Sequence, residues 1–492
     1  MAEIFLDTHR LDHYDLFLRI KSLPRFSFQG HTAIVPDEYL TLLGQDACED
    51  AAYLPYQPEP FLFDYQQAVA SLSIRKRKFA VFARCGLGKT LIYLSYARYV
   101  NLLYPDRPIL IVCPLSVIPQ TIEEAERFWP GYAIQQIRAK SLQEWLGSGN
   151  GIGITNYEAI RDGLRPGRLC CLILDESSTM KSHYGAWARR LIDLGKGLVW
   201  KLCLTGTPAP NDRIEYANHA VFLDQFPTVN SFLARYFVNR GQTGERWELK
   251  PHALRPFYRS LSHWCIFLED PATYGWKDNV HAIPPIHVHI HDVDMSDEQR
   301  QAVARLSGSL IGTPGGITKR SKLAQLAKGR LDGQKIASGK VEFIRNLVSS
   351  WKGESTIIWC RYNEEQDDLE EAFPNAASIR GATKEAERRA LISEFQGGRK
   401  QELITKPDVL GFGMNFQIAT RHVFNGLWDS SEEYHQAVSR SNRVGSTQDL
   451  NVHIVLTEIE RAMADNTFAK IKRMQQDSQE QEKLFREVQY AF

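Results

Sequence analysis

The sequence predicts an α/β protein: two tandem parallel-sheet lobes with a helical insertion, a small N-terminal unit and a C-terminal helical tail. Three observations predict it. Short apolar runs alternate with helical stretches in two separate series, 79–204 and 356–456, as strands buried on both faces of a parallel sheet do. The residues between the series lose that alternation. With 492 residues, and about 150 per domain, the chain has room for roughly three structural units.

Composition narrows the function classes. Hydrophobic residues make up 43% and charged residues 24%, which excludes wholesale disorder. Lys plus Arg (59) balances Asp plus Glu (58) to a net charge of +1, so a uniformly basic, histone-like binder is excluded. Any nucleic-acid site must be a local patch. The start carries Glu3 and Asp7 where a secretory signal needs basic and then apolar residues. The longest uncharged apolar stretch, 108–122, is too short to span a bilayer and is broken by Pro108, Pro114 and Pro119. Eight cysteines include no Cys-x-x-Cys pair, which argues for buried thiols in a reducing compartment. The expectation is a soluble, cytoplasmic protein with no membrane partner.

The elements follow in order. Residues 1–58 read as a small N-terminal unit, with helical spacing at 9–20 and a strand pair at 25–35 turning at Gly30. Three prolines make 53–60 a linker. The first lobe spans 59–225, with strands expected at 79–83, 109–113, 151–155, 169–174 and 202–204. Residues 226–290, aromatic and without strong alternation, read as the helical insertion. The second lobe spans 291–457, with strands expected at 356–360, 377–379, 403–405, 422–424 and 452–456. Between the series, 316–346 holds eight Lys and Arg against Asp332 and Glu342, a local excess of +6. The tail, 458–492, is charged and helical, and reads as a brace that packs Phe468, Ile471 and Met474 on a lobe.

The sharpest local signal is the run from Ala83 to Thr90, Ala-Arg-Cys-Gly-Leu-Gly-Lys-Thr, between an apolar strand and a helix. Gly86, Leu87 and Gly88 form a turn whose backbone N–H groups can cradle phosphates. The helix from Thr90 adds the positive end of its dipole. Lys89 would reach the β- and γ-phosphates of ATP, and the Thr90 hydroxyl would ligate Mg2+. A second metal carboxylate is expected, and Asp175-Glu176 supplies it at the end of the apolar run 169–174. Asp175 would hold Mg2+, and Glu176 would orient or deprotonate the attacking water.

With these motifs in hand, the chain from about 61 to 460 resembles a superfamily 2 helicase, and more closely the Swi/Snf-type ATP-dependent DNA translocases. That resemblance implies two RecA-like lobes. Leu62-Phe-Asp-Tyr-Gln66 resembles the family's adenine-reading motif and casts Gln66 as the adenine contact. Cys113-Pro-Leu-Ser116 and Ile154-Thr-Asn156-Tyr157-Glu resemble its DNA-backbone motifs, which points to Ser116, Asn156 and Tyr157. Leu204-Thr205-Gly-Thr-Pro matches the motif coupling hydrolysis to strand contact. In the second half, Gly411-Phe-Gly413-Met-Asn415-Phe-Gln resembles the fifth motif, casting Gly413 at ATP and Asn415 at DNA. Gln436-Ala-Val-Ser-Arg440-Ser-Asn-Arg443 keeps the spacing of the sixth. On a helix, residues three apart share one face, so Arg440 and Arg443 would both meet the transferring phosphoryl group.

The resemblance implies an ATP hydrolase moving along DNA, with duplex favoured and mostly backbone contacts, in replication, recombination or repair in a bacterial or phage-infected cell. Arg361 and the basic residues at 319–345 join the expected DNA grip. The alternatives are an RNA or single-strand helicase, and a nucleotide-gated DNA-binding module with weak turnover. The last is motivated by a departure: the family usually has Asp-Glu-Ala-His, and here Ser178 replaces the histidine. Three further features take plainer readings. Arg75 to Lys78 reads as a solvated helix end. His287, His289 and His291 read as an exposed strand rather than a metal site. Trp428 reads as packing rather than base stacking.

Overall fold

The computed structural model describes residues 2–44, 55–182, 185–241, 246–278, 283–309, 316–351, 353–410, 415–428, 430–443 and 445–489. The chain divides into two units: Met1–Arg84, Gly88–Val280 and Met474–Phe492 form the first, and Cys85–Leu87 with His281–Arg473 form the second. Each is built on a parallel sheet, as expected for RecA-like lobes.

The first unit's sheet has seven strands. Their order is Cys265–Leu268, Lys78–Ala83, Trp200–Thr205, Cys171–Asp175, Pro108–Cys113, Gly151–Asn156 and Ile134–Gln136, every pair parallel. The Pro108–Cys113, Cys171–Asp175 and Trp200–Thr205 strands are buried throughout, which is why 108–113, 171–174 and 202–204 read as apolar runs. The helix Asp64–Lys76 precedes the strand Lys78–Ala83, and between strands the chain forms helices such as Lys89–Leu103 and Ile118–Phe128. Parallel pairing sends every carboxyl end to one edge of the sheet, where the motif-bearing loops collect.

The stretch expected to be helical insertion carries helices Val229–Tyr236 and Leu254–Trp264, and strands as well. Phe237–Asn239 and Trp247–Leu249 pair as an antiparallel hairpin. Cys265–Leu268 adds the edge strand of the large sheet, with Leu268 opposite Ala83. Its four apolar residues follow the helix Leu254–Trp264 directly, with no turn residue to separate the two elements.

The N-terminal residues form a three-stranded antiparallel sheet beside the helix Leu11–Ser22, with Gly30 in the left-handed conformation between two of the strands. A buried polar network ties them to the first lobe. Lys76 donates to Glu38 at 2.6 Å, the Tyr39 hydroxyl meets His263 Nδ1 at 2.5 Å, and Arg25 donates to Gln225 at 2.6 Å. Burial pushes the Glu38 carboxyl up, but His263 and Lys76 outweigh it and hold it at about 2. The basic run 75–78 is a helix end with Arg75 exposed, as expected, but its two lysines are tied to acids. Lys76 is buried on Glu38, and Lys78 pairs with Asp224 at 2.8 Å.

The second unit's six-stranded sheet runs Ile286–Asp292, Leu450–Leu456, Arg421–Phe424, Thr356–Trp359, Glu402–Thr405 and Ala377–Ser378, again all parallel. The alternating histidines lie on its edge strand. His287 bonds Asp449, His289 bonds Asn451 and His291 bonds His453, at 2.8 to 3.0 Å, so each imidazole is used within the sheet. Trp428 packs against the core of this unit.

The basic segment is a correction. Local counting missed acids supplied from afar: Arg330 forks onto Asp368, while Lys322 pairs with Asp332, one of the two acids within the segment. Lys328 and Lys340 are buried, and both bond Glu460, at 2.5 and 2.7 Å. These four cations are structural rather than a free grip for phosphates. Gly426, at φ +95°, leaves the space this cluster needs, because a Cβ there would lie 2.2 Å from Glu460 Oε1.

The tail forms the helix Arg461–Gln489. Phe468 and Ile471 pack on the second unit's core. Further along, Arg213 forks onto Asp477 at 3.0 and 2.6 Å, Tyr258 donates to the same carboxylate, and Glu482 accepts from the Glu269 N–H, all within the first unit. No helix among the described residues is long and apolar enough to cross a membrane.

Burial pushes the Glu460 carboxyl up, but the two ammonium groups outweigh it and hold it at about 2, below an ordinary value of 4.5. Its stabilising contribution is therefore full above pH 4.5 and lost as pH falls toward 2. Glu460→Gln strands two buried lysines and should cost about 3–5 kcal/mol in denaturant unfolding at pH 7, with a smaller difference at pH 3.

Candidate active site

Three neighbouring strands of the first sheet carry the chemistry. Lys78–Ala83 runs into the glycine-rich loop, Trp200–Thr205 ends at Thr205, and Cys171–Asp175 ends at the acid pair. Gly86 and Gly88 both take positive φ, +91° and +72°. A Cβ on Gly88 would lie 2.2 Å from the Gln66 amide nitrogen, so the loop approaches Gln66 as closely as only glycine allows. The helix Lys89–Leu103 starts directly after Gly88, which puts Lys89 and Thr90 in its first turn. Lys89 Nζ donates to the Ala83 carbonyl at 3.1 Å. Gln66 is buried, and its Oε1 accepts from the Phe63 N–H at 3.1 Å, capping the start of the helix Asp64–Lys76.

Asp175 is 6% exposed. Burial raises its carboxyl, the neighbouring Glu176 raises it further, and Lys89 only partly offsets them, so it titrates at about 7. Glu176 itself is left-handed at φ +52°. Its Oε2 accepts from the Thr205 hydroxyl at 3.2 Å, and Thr205 Oγ1 accepts from the Thr207 N–H at 3.2 Å. The acid pair and the Thr205 segment are thus joined directly, without the family histidine.

Two residues expected at DNA lie inside instead. Thr205 is fully buried beneath Glu176, and Tyr157 is buried with its hydroxyl donating to the Asp175 carbonyl at 2.7 Å. Sequence reasoning assigned Tyr157 from its motif and had no signal for this bond, because its partner strand lies 18 residues away. Ser116 is exposed at the turn Leu115–Val117, and Asn156 is partly exposed at the end of its strand. Sequence reasoning also passed over His219, whose Nε2 shares a hydrogen bond with Ser177 Oγ at 3.0 Å.

In the second unit, Arg361 donates to Glu433 at 2.6 Å, and the exposed Asn415 accepts from Arg443. Gly413 lies outside the described residues. The shared helix face expected for Arg440 and Arg443 is corrected. The helix Ser431–Val438 ends before them, and they sit in the turns that follow. Polar anchors break the helix there: Ser441 Oγ bonds the buried His422 ring at 2.8 Å, and Asn442 donates to the Pro284 carbonyl at 2.6 Å. Arg440 is 6% exposed and donates to the Pro407 carbonyl, while its Nε and Nη1 have no partner among the described residues. Burial pulls this guanidinium down to about 10.

The donor set suits a nucleotide with Mg2+. Asp175 and Thr90 offer hard oxygens, and no group of three His, Cys, Asp or Glu among the described residues could hold a metal alone. Mg2+ is commonly held by one or two protein oxygens together with substrate phosphates.

The SNF2-related domain matches residues 81–352, more than half of the chain. This chain belongs to the SNF2-related family. The helicase conserved C-terminal domain matches 339–445. Among SNF2-related relatives, the mouse (Mus musculus) DNA annealing helicase and endonuclease ZRANB3 is 23% identical over 460 residues, covering 87% of this chain and 41% of its own length. Protein p41 of Acyrthosiphon pisum secondary endosymbiont phage 1 is 23% identical, covering 78% of this chain and 88% of its own length. The solved SWI2/SNF2 ATPase core of Sulfolobus solfataricus in complex with dsDNA matches 87% of this chain and 96% of its own at 20% identity, with a TM-score of 0.40. The chain spans about two fifths of the length of the ZRANB3 relatives it matches.

The raised Asp175 carboxyl gives a stability prediction. Ionised, it penalises the fold above pH 7, and the penalty shrinks as pH falls from 7 toward the unfolded value of 3.8. Asp175→Asn should raise unfolding stability by roughly 3 kcal/mol at pH 8 and by less at pH 5, read from denaturant unfolding at the two pH values.

Proposed function

We propose that this chain is an ATP hydrolase that couples turnover to movement along DNA, with duplex favoured. The observation that carries the reading is the convergence of the Lys89 loop, Thr205 and the Asp175-Glu176 pair at the carboxyl ends of three neighbouring parallel strands. The printed names of the relatives, which include DNA helicases, support DNA as the partner.

Each residue then has a task. The backbone N–H groups of the 86–90 turn and Lys89 hold the phosphates. Gln66 reads the adenine by exchanging its bond to the Phe63 N–H for one to the base. Thr90 and Asp175 would hold Mg2+, which would supply neutralisation of phosphate charge. Glu176, oriented by the Thr205 hydroxyl, positions the attacking water and takes its proton. The unanswered Nε and Nη1 of Arg440, with Arg443 and Gly413, are assigned to the charge that builds on the transferring phosphoryl group. Ser116, Asn156, Arg361 and Asn415 are proposed to hold the DNA backbone, which positions without reading sequence.

The direct test is steady-state ATPase with single-stranded, duplex and forked DNA and with RNA, beside triplex displacement. Duplex DNA should stimulate hydrolysis most, and displacement should require ATP. No stimulation by any nucleic acid sinks the reading, and preferential stimulation by RNA replaces it with an RNA helicase. Glu176→Gln should lower kcat by about 100-fold or more with ATP affinity retained. Arg440→Ala should lower kcat by roughly 1,000-fold with ADP affinity little changed.

A further inference from the structure

We infer that His219 is a positioning residue for hydrolysis, holding the turn that presents Glu176 through its hydrogen bond to Ser177. The inference rests on the hydrolysis reading above and adds to it a residue from outside the motifs.

The need comes from the backbone. Glu176 has φ +52° and ψ +50°, a left-handed conformation that a side-chain-bearing residue rarely adopts. Such a residue stays there only when its neighbours over-determine it. The next turn, Ser177–Met180, is gripped from one side by the helix Tyr216–Phe222. His219 Nε2 meets Ser177 Oγ at 3.0 Å. One residue earlier, Asn218 Nδ2 donates to the carbonyls of Met180 and Ser182 at 2.5 and 2.7 Å. Within the turn, the Thr179 N–H and hydroxyl both donate to the Glu176 carbonyl, at 3.2 and 3.1 Å. Thr205 fixes the side-chain end of Glu176, so the grip of the helix fixes the other end.

The imidazole is suited to this work. It is fully buried, and burial pushes it down to about 4, so it is neutral at physiological pH. Its ring stands edge-to-face on Phe82, 5.3 Å between centroids, in the strand that feeds the phosphate loop. One side chain therefore touches both the strand leading to Lys89 and the turn after Glu176. Ser178, in the position of the family histidine, is itself buried. The histidine that steadies the acid turn comes from the helix that follows the Thr205 segment.

The test compares His219→Ala, His219→Gln, Ser177→Ala and the Ser177→Ala/His219→Ala pair in the full chain. Readouts are DNA-stimulated ATPase, affinity for a fluorescent ADP analogue with Mg2+, and hydrogen exchange at the amides of Thr179 and Lys181. His219→Ala should lower kcat by about ten-fold, leave ADP affinity within about two-fold, and speed exchange at both amides. His219→Gln, which keeps a hydrogen-bonding group, should recover most of the rate and the slow exchange. The double variant should be no slower than His219→Ala. Unchanged exchange in His219→Ala overturns the inference, as does a Gln variant no better than Ala or an additive double variant, both of which mark a packing role. A wild-type protein without hydrolysis would sink the functional reading instead, and the exchange comparison would then decide the positioning of the turn by itself.

Discussion

A carboxyl group carried into the interior at the end of a parallel strand is the constraint on which the first unit turns. Asp175 lies where water cannot solvate its charge, next to a second acid, and Lys89 answers it with opposite charge. The surroundings compensate by rigidity. The Glu176 N–H donates to Asp175 Oδ1 at 3.1 Å, Tyr157 holds the Asp175 carbonyl, and Thr205 holds the Glu176 carboxylate. The strands on either side of Cys171–Asp175 are buried along their length, so the acid end of that strand has little freedom to relax. A site that stores unfavourable negative charge in this way is set up to gain from a cation that relieves it.

The second unit handles buried charge in two ways, and the contrast separates structure from function. Glu460 is fully answered by Lys328 and Lys340, and its network is closed. Arg440 is nearly as deeply buried, yet two of its three guanidinium nitrogens have no partner among the described residues. A closed network fixes a fold, whereas a buried guanidinium with open donors asks for a further explanation, in strain, water, an ion or a reaction.

Most of the architecture was legible because parallel strands buried on both faces declare themselves as unbroken apolar runs, and because a phosphate loop needs glycines at set positions. Cys265–Leu268 escaped since it abuts a helix with no turn residue between them. The 316–346 segment misled since a charge count sees only near neighbours, while Asp368 and Glu460 arrive from elsewhere in the chain. The arginine spacing suggested a continuing helix, and nothing in that spacing reveals the tertiary bonds of Ser441 and Asn442 that stop it at Val438. Tyr157, Thr205 and His219 share one cause: each acts through a bond to a strand or turn distant in sequence, and local pattern carries no record of such partners.

The first unit is not one continuous length of chain. Asp477, Leu484 and Phe485, all from the last helix, are buried in it. Order of synthesis and order of completion therefore diverge. The sheet of the first unit leaves the ribosome well before residues 477–485, so its apolar seam stays open until the second unit has been made. During that interval the earlier-made half exposes apolar surface that only later residues cover.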